Sequence, residues 1–145
     1  MASSDPYNLQ RFVDAQQGVI EVALAELRAG CKQSHWMWFV FPQLAGLGRS
    51  DAAIFFALAS IDEARAYLRH PLLGPRLRQC VEAVMLWAGK STPGQILGST
   101  DAMKLRSSLT LFDRAEPGGA FAAALATLFD DNPDELTLAL LNGAR

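Results

Sequence analysis

Apolar residues recur along this chain at the spacing of helices, three and four apart, and not in the alternation of half-buried strands. Leu9, Phe12, Val13, Ile20, Ala23, Leu24 and Leu27 form one such stripe. Asp5 suits an N-cap, Pro6 the first helical position and Gly30 a stop, which predicts one long helix over about 6–29. Gln16 interrupts the stripe at its middle. A buried amide without a partner costs about 1–3 kcal/mol. Gln16 therefore either bonds a neighbouring backbone group in the core or points into a pocket lined by this helix.

The run Trp36 to Phe41 is too short for periodicity to separate strand from helix. Ser34 can cap a short helix there, Phe41-Pro42 discourages its continuation, and no second convincing strand exists to pair with it. Gly46-Leu47-Gly48-Arg49-Ser50 reads as a turn, with Ser50 capping a helix over about 51–59. Ser60 and Glu63 have the spacing of a capping box and open a helix to about Arg69, which His70-Pro71 ends. Gly74-Pro75 opens another through Ala88, with Leu77, Cys80, Val81, Val84, Trp87 and Ala88 inward and Gly89 as its stop. Ser91-Thr92-Pro93 begins one or two turns that end at Gly98. Ser99 or Thr100 caps a helix to about Asp113 or Arg114, with Ala102, Leu105, Leu109 and Phe112 buried. Ala120 to Phe129 follows a Pro-Gly-Gly loop, and Asn132-Pro133 opens the last helix. The pattern predicts an all-α, single-domain orthogonal bundle of seven or eight short helices over residues 1–145.

Composition narrows the function classes. Half of the residues are hydrophobic and 19% are charged, which suits a packed domain and not a disordered chain. The formal net charge of −2, without a basic tail, disfavours a nucleic-acid partner. The longest apolar run, Ala52 to Ala59, is far short of the roughly 20 residues of a membrane helix, and no signal-peptide pattern opens the sequence. A soluble, cytoplasmic protein is expected. Cys31 and Cys80 lack metal-ligand spacing and read as two reduced, buried thiols. No metal and no cofactor are called for.

Candidate chemistry concentrates in three places. His35, Trp36 and Trp38 offer ring faces and a titratable nitrogen, with Gln43 close behind. A nucleobase or nicotinamide ring stacked there would gain about 1–3 kcal/mol. The ordinary alternative is that both tryptophans anchor the core. Their N–H groups need partners, so at least one of the three is expected to border a cleft. Glycines before Arg49 and Ser50 would let the backbone approach an anion at a helix start, with Arg49 forking onto a phosphate. Asp101, Lys104 and Ser108 fall on one side of a helix. The plainer reading is a solvated charge pair; the functional reading has Asp101 as a general base or sugar-hydroxyl acceptor and Lys104 holding a phosphate or polarising a leaving group. Arg65, Arg69, Arg76 and Arg78 could form a local basic patch for a polyanion or a protein.

His35-Trp36-Met37-Trp38-Phe39-Val40-Phe41-Pro42-Gln43 closely resembles the signature of a small bacterial family of unknown function, sometimes labelled calpastatin. Arg11 to Gln16, Gly46 to Ser50, Glu63 to Leu77 and Asp101 to Phe112 agree with it. The resemblance spans nearly the whole chain and implies an all-helical fold. The inhibitor label does not fit, because calpain inhibitors of that name are long disordered chains. A remoter kinship to the NADAR superfamily implies a substrate related to NAD or ADP-ribose. The expectation is a protein that binds or hydrolyses a nucleotide or ribosyl compound, an N-glycosidase-like hydrolase if an enzyme. Asp101, Lys104 and His35 would be catalytic. Gln16, Trp36, Trp38, Gln43, Arg49, Ser50 and Ser108 would bind the nucleotide-like small molecule. The alternative is a non-enzymatic protein-interaction module using an exposed aromatic patch.

Overall fold

A computed structural model describes residues 5–143. Among them lie ten helices and no strand. They are α1 (Gln10–Gln16), α2 (Ile20–Arg28), α3 (Met37–Val40), α4 (Asp51–Phe55), α5 (Ile61–Arg69), α6 (Leu73–Met85), α7 (Pro93–Leu97), α8 (Ser99–Ala115), α9 (Ala120–Phe129) and α10 (Glu135–Leu141). The all-α class holds. The expected helix over 6–29 is two helices, because Gly18 takes φ +73° between them, a conformation that side chains resist. Asp5 caps α1 from a distance: its carboxylate accepts the N–H groups of Leu9 and Gln10 at 2.8 and 2.9 Å.

Several ends differ from expectation for local reasons. Ser34 does not cap α3; Trp36 stands at that N-cap and the Ser34 hydroxyl donates to Glu26 at 2.6 Å. α4 stops at Phe55, not Ala59, because the next residues leave to pair with the 43–45 segment. Leu58 N–H donates to Gln43 O at 2.9 Å and Ala45 N–H to Leu58 O at 2.8 Å, forming one parallel bridge between Leu44 and Leu58. Ser60 caps α5, but Glu63 does not reach back to Ser60; its carboxylate accepts from Ala59 N–H at 2.9 Å and from Arg11 at 3.0 Å. Gly98, at φ +89°, precedes α8, so neither Ser99 nor Thr100 caps it. Asp134, not Asn132, caps α10, accepting from the Thr137 N–H and hydroxyl at 3.0 and 2.6 Å. The α7 box is complete: Thr92 accepts Gln95 N–H, and the Gln95 amide accepts Thr92 N–H.

The organising element is α8. It packs against α5, α7, α9 and α10, and its expected stripe of Ala102, Leu105, Leu109 and Phe112 is buried. So are Ser107, Ser108, Thr110 and Leu111, which leaves the turns from Ser107 to Phe112 buried all round. Around it Tyr67, Phe112 and Phe121 stack in series at centroid distances of 5.4 and 5.5 Å. One hydrophobic core runs from Leu9 to Leu125 through every layer. Cys80 lies in it as expected, whereas Cys31 is exposed, on the loop after α2.

Arg11 ties the front of this bundle together. Its five N–H donors go to the carbonyls of Tyr7, Asn8, Phe55 and Ala57 and to Glu63, at 2.6–3.0 Å. Glu63 is almost wholly buried. The pair thus fixes the 55–59 segment, and through the Leu44–Leu58 bridge it fixes where the 43–50 loop begins.

Candidate functional site

A cleft of about 440 Å³ opens where that loop, α8 and the start of α10 meet. The loop and α4 supply Gln43, Leu47, Gly48, Arg49, Ser50 and Ala53. Helix α8 supplies Thr100, Met103, Lys104 and Ser107, α10 and its cap supply Leu136 and Asp134, and Trp38 closes the side.

The aromatic segment is placed by Glu26. Its carboxylate accepts the Gln33 and Ser34 N–H groups, the Ser34 hydroxyl and the Trp36 indole N–H, all at 2.6–3.0 Å. Burial alone would raise its pKa. The Ser34 hydroxyl, the two backbone donors and the indole overcome that and bring it to about 2. Trp36, satisfied in this way, is completely buried and packs on Phe41. It is a core anchor and does not reach the cleft. Two residues on, Trp38 is half-buried and lines it.

A chain of charges connects the two rings. Lys32 Nζ lies 5.0 Å from the Trp36 ring centroid and 2.9 Å from Asp101 Oδ2. Asp101 Oδ1 lies 3.5 Å from Lys104 Nζ, which sits 5.2 Å from the Trp38 ring centroid. Each cation–π contact is worth about 0.5–2 kcal/mol. Two lysines share one carboxylate, so this ladder carries net positive charge, and Lys104 brings it to the cleft wall.

The loop contributes the second cation. Gly48 packs so closely on α4 that a Cβ there would stand 2.5 Å from the Ala53 Cβ. Ser50 Oγ accepts Ala53 N–H at 3.1 Å and starts α4. Arg49, between them, is exposed and makes no hydrogen bond or ion pair among the described residues. Opposite, Asp134 spends Oδ2 on Thr137 and is the one acid on the lining.

Five of the ten residues singled out from the sequence therefore converge: Trp38, Gln43, Arg49, Ser50 and Lys104. Asp101 stands one step behind, through Lys104. The others lie elsewhere. Gln16 is buried, donating to Phe39 O at 2.7 Å and to the Tyr67 hydroxyl at 3.2 Å, with Arg76 on its carbonyl oxygen at 3.3 Å. His35 is exposed and off the cleft. Ser108 is buried with its hydroxyl unpaired, while Ser107, one residue away on the helix, faces the cleft. Sequence reasoning passed over Lys32, Glu26, Thr100, Met103, Ser107, Asp134 and Leu136. Thr100, Lys104 and Ser107 follow i, i+4, i+7, so that face was available as a signal; Glu26 and Lys32 offered none. Among the described residues no three His, Cys, Asp or Glu side chains gather as a metal site requires, and no helix is long and apolar enough to cross a membrane.

Residues 6–141 match a family described as protein of unknown function, DUF1810. This chain belongs to the DUF1810 family. It is similar to the crystal structure of the conserved hypothetical protein Rv1873 from Mycobacterium tuberculosis, at 47% identity and a TM-score of 0.91, over 95% of this chain and 99% of that one. No protein of curated function matches it. The Trp38 cleft lies entirely within the DUF1810 match.

Proposed function

We propose that the Trp38 cleft binds a nucleotide or ribosyl compound of the class related to NAD and ADP-ribose, in the cytoplasm, and that cleavage of an N-glycosidic bond is the reaction to assay. The observation that carries the reading is the meeting of one ring face, Trp38, with two cations, Lys104 and Arg49, of which Arg49 has no partner among the described residues. A planar base stacks on the indole, and an anionic group lies between the guanidinium and the ammonium. Asp134, whose Oδ2 alone is taken by Thr137, supplies Oδ1 as acceptor for a sugar hydroxyl in this reading. Asp101 acts through Lys104, holding the ammonium in place. The volume falls in the ordinary range of about 300–1,000 Å³ for small-molecule sites. The ligand class itself comes from the remoter kinship to the NADAR superfamily, which supplies a substrate class and no site residues.

The test is a thermal-shift panel of NAD, ADP-ribose and nucleoside monophosphates against the wild type and Arg49→Ala and Trp38→Ala. A ligand at 100 times its Kd adds about 2.7 kcal/mol of stability, and both substitutions should erase that gain. No shift with any compound, or a shift that survives both substitutions, sinks the reading. The competing role, a protein-docking aromatic patch, needs both tryptophans on an open surface. With Trp36 buried, that role rests on Met103 and Leu136, 65% and 67% exposed at the cleft rim.

A further inference from the structure

The arginines of α5 and α6 form a second concave site that the Trp38 cleft does not use. Arg65 and Arg69 of α5 and Arg78 of α6 line a cleft of about 220 Å³, floored by Leu68 and Ala115 and edged by Glu116 at the end of α8. It shares no residue with the first cleft. Arg76, the fourth arginine of this stretch, turns away to Gln16.

The three guanidinium groups are poorly matched by the acids around them. Arg69 is exposed and has no partner among the described residues. Arg65 meets only the exposed Asp62, at 3.4 Å. Arg78 stacks 5.4 Å from the Phe121 ring centroid and lies 2.8 Å from Glu116 Oε2. That oxygen is shielded from solvent yet accepts no well-directed hydrogen bond. It is close enough for charge attraction and misaligned for a guanidinium fork. One tethered carboxylate thus occupies a site edged by three arginines, in a chain whose net charge is −2.

We infer that this cleft is a binding site for a small phosphate-bearing anion, with Glu116 standing in for the ligand when the site is empty. A phosphate group presents several oxygens at once and can take forks from Arg65, Arg69 and Arg78 together, which a single carboxylate on a fixed tether cannot. The cleft is concave and small, which suits a free phosphorylated compound. Binding displaces Glu116 from Arg78 and frees its oxygen to reach water.

Isothermal titration of the full chain with inorganic pyrophosphate tests this. Glu116→Gln removes the internal competitor and should tighten binding by about tenfold, and Arg69→Gln, at an exposed position, should weaken it by about tenfold. The binding that Arg69→Gln weakens should persist in Arg49→Ala, whatever pyrophosphate the Trp38 cleft also takes up. Equal affinities in the wild type, Glu116→Gln and Arg69→Gln would overturn the assignment. So would loss of binding in Arg49→Ala, which would put pyrophosphate in the Trp38 cleft. A phosphoserine peptide is titrated in parallel; tighter binding by the peptide than by pyrophosphate would overturn the small-molecule assignment.

Discussion

Glu26→Gln is a sharp test of how the aromatic segment is held. The substitution keeps size and shape but removes the charge that four donors share: two backbone N–H groups, the Ser34 hydroxyl and the Trp36 indole. A fall of the carboxyl pKa from 4.5 to about 2 sets a ceiling of about 3 kcal/mol. Glu26 is partly exposed, and solvent screening reduces this to about 1–2 kcal/mol. For a chain of this size that is a fall in Tm of about 3–6 °C at pH 7. The pH dependence carries the sign. The folded pKa is depressed, so the stabilisation is present in full above the unfolded value near 4.5 and is lost as pH falls toward 2. Denaturant unfolding of wild type and variant at pH 7, 5, 4 and 3 should show a constant gap in the first two and a shrinking gap in the last two. Near-ultraviolet circular dichroism should report a loosened Trp36 in the variant. A gap that stays constant down to pH 3, or no gap at pH 7, would refute the claim that the charge of Glu26 seats Trp36.

Other outcomes follow from the same packing. Arg11→Ala and Glu63→Gln should each cost about 3–5 kcal/mol by leaving a buried partner unmatched, and the double variant should cost clearly less than their sum in chemical denaturation. Gly74→Ala, inside α6, should destabilise by more than about 2 kcal/mol despite alanine's better helix propensity, because its Cβ would stand 2.1 Å from the Leu68 carbonyl oxygen. Gly94→Ala in α7 meets nothing closer than 3.8 Å and should be neutral or stabilising by about 0.5 kcal/mol. Trp36→Ala should cost about 3–5 kcal/mol, whereas Trp38→Ala should cost well under half of that and remove ligand-induced stabilisation instead.

Helices with wide apolar stripes were legible in the sequence, α8 and α9 above all, because burial repeats with the period of the helix itself. Breaks and ends set by distant partners were not. Gly18 interrupts an otherwise continuous stripe, and a mid-stripe glycine does not announce a positive φ. Glu63 matches a capping box in spacing, but Arg11, 52 residues away, takes its carboxylate. At the cleft, the loop glycines with Arg49 and the Lys104 face of α8 could be read locally. Which tryptophan of the pair turns inward could not, since that depends on Glu26, ten residues before Trp36 on another helix. Gln16 is visible in the sequence as a polar interruption of its stripe, and its partners, Phe39 O and the Tyr67 hydroxyl, hold it in the core and not in a pocket.

The single bridge between Leu44 and Leu58 makes the intervening segment a closed loop whose two ends meet on the core. Such a loop can be lengthened, shortened or exchanged while both anchors stay in place, since the entropy of closure grows only slowly with its length. Its helix α4 buries none of its own residues and leaves Ile54 and Phe55 to solvent. The wall of the cleft that carries Arg49 is therefore a detachable part of the architecture, and the wall that carries Lys104 is not. Grafting a different 46–54 segment would change what the cleft accepts while leaving in place the Phe55 carbonyl that Arg11 holds and the Phe56 ring that packs on Phe12 and Phe39.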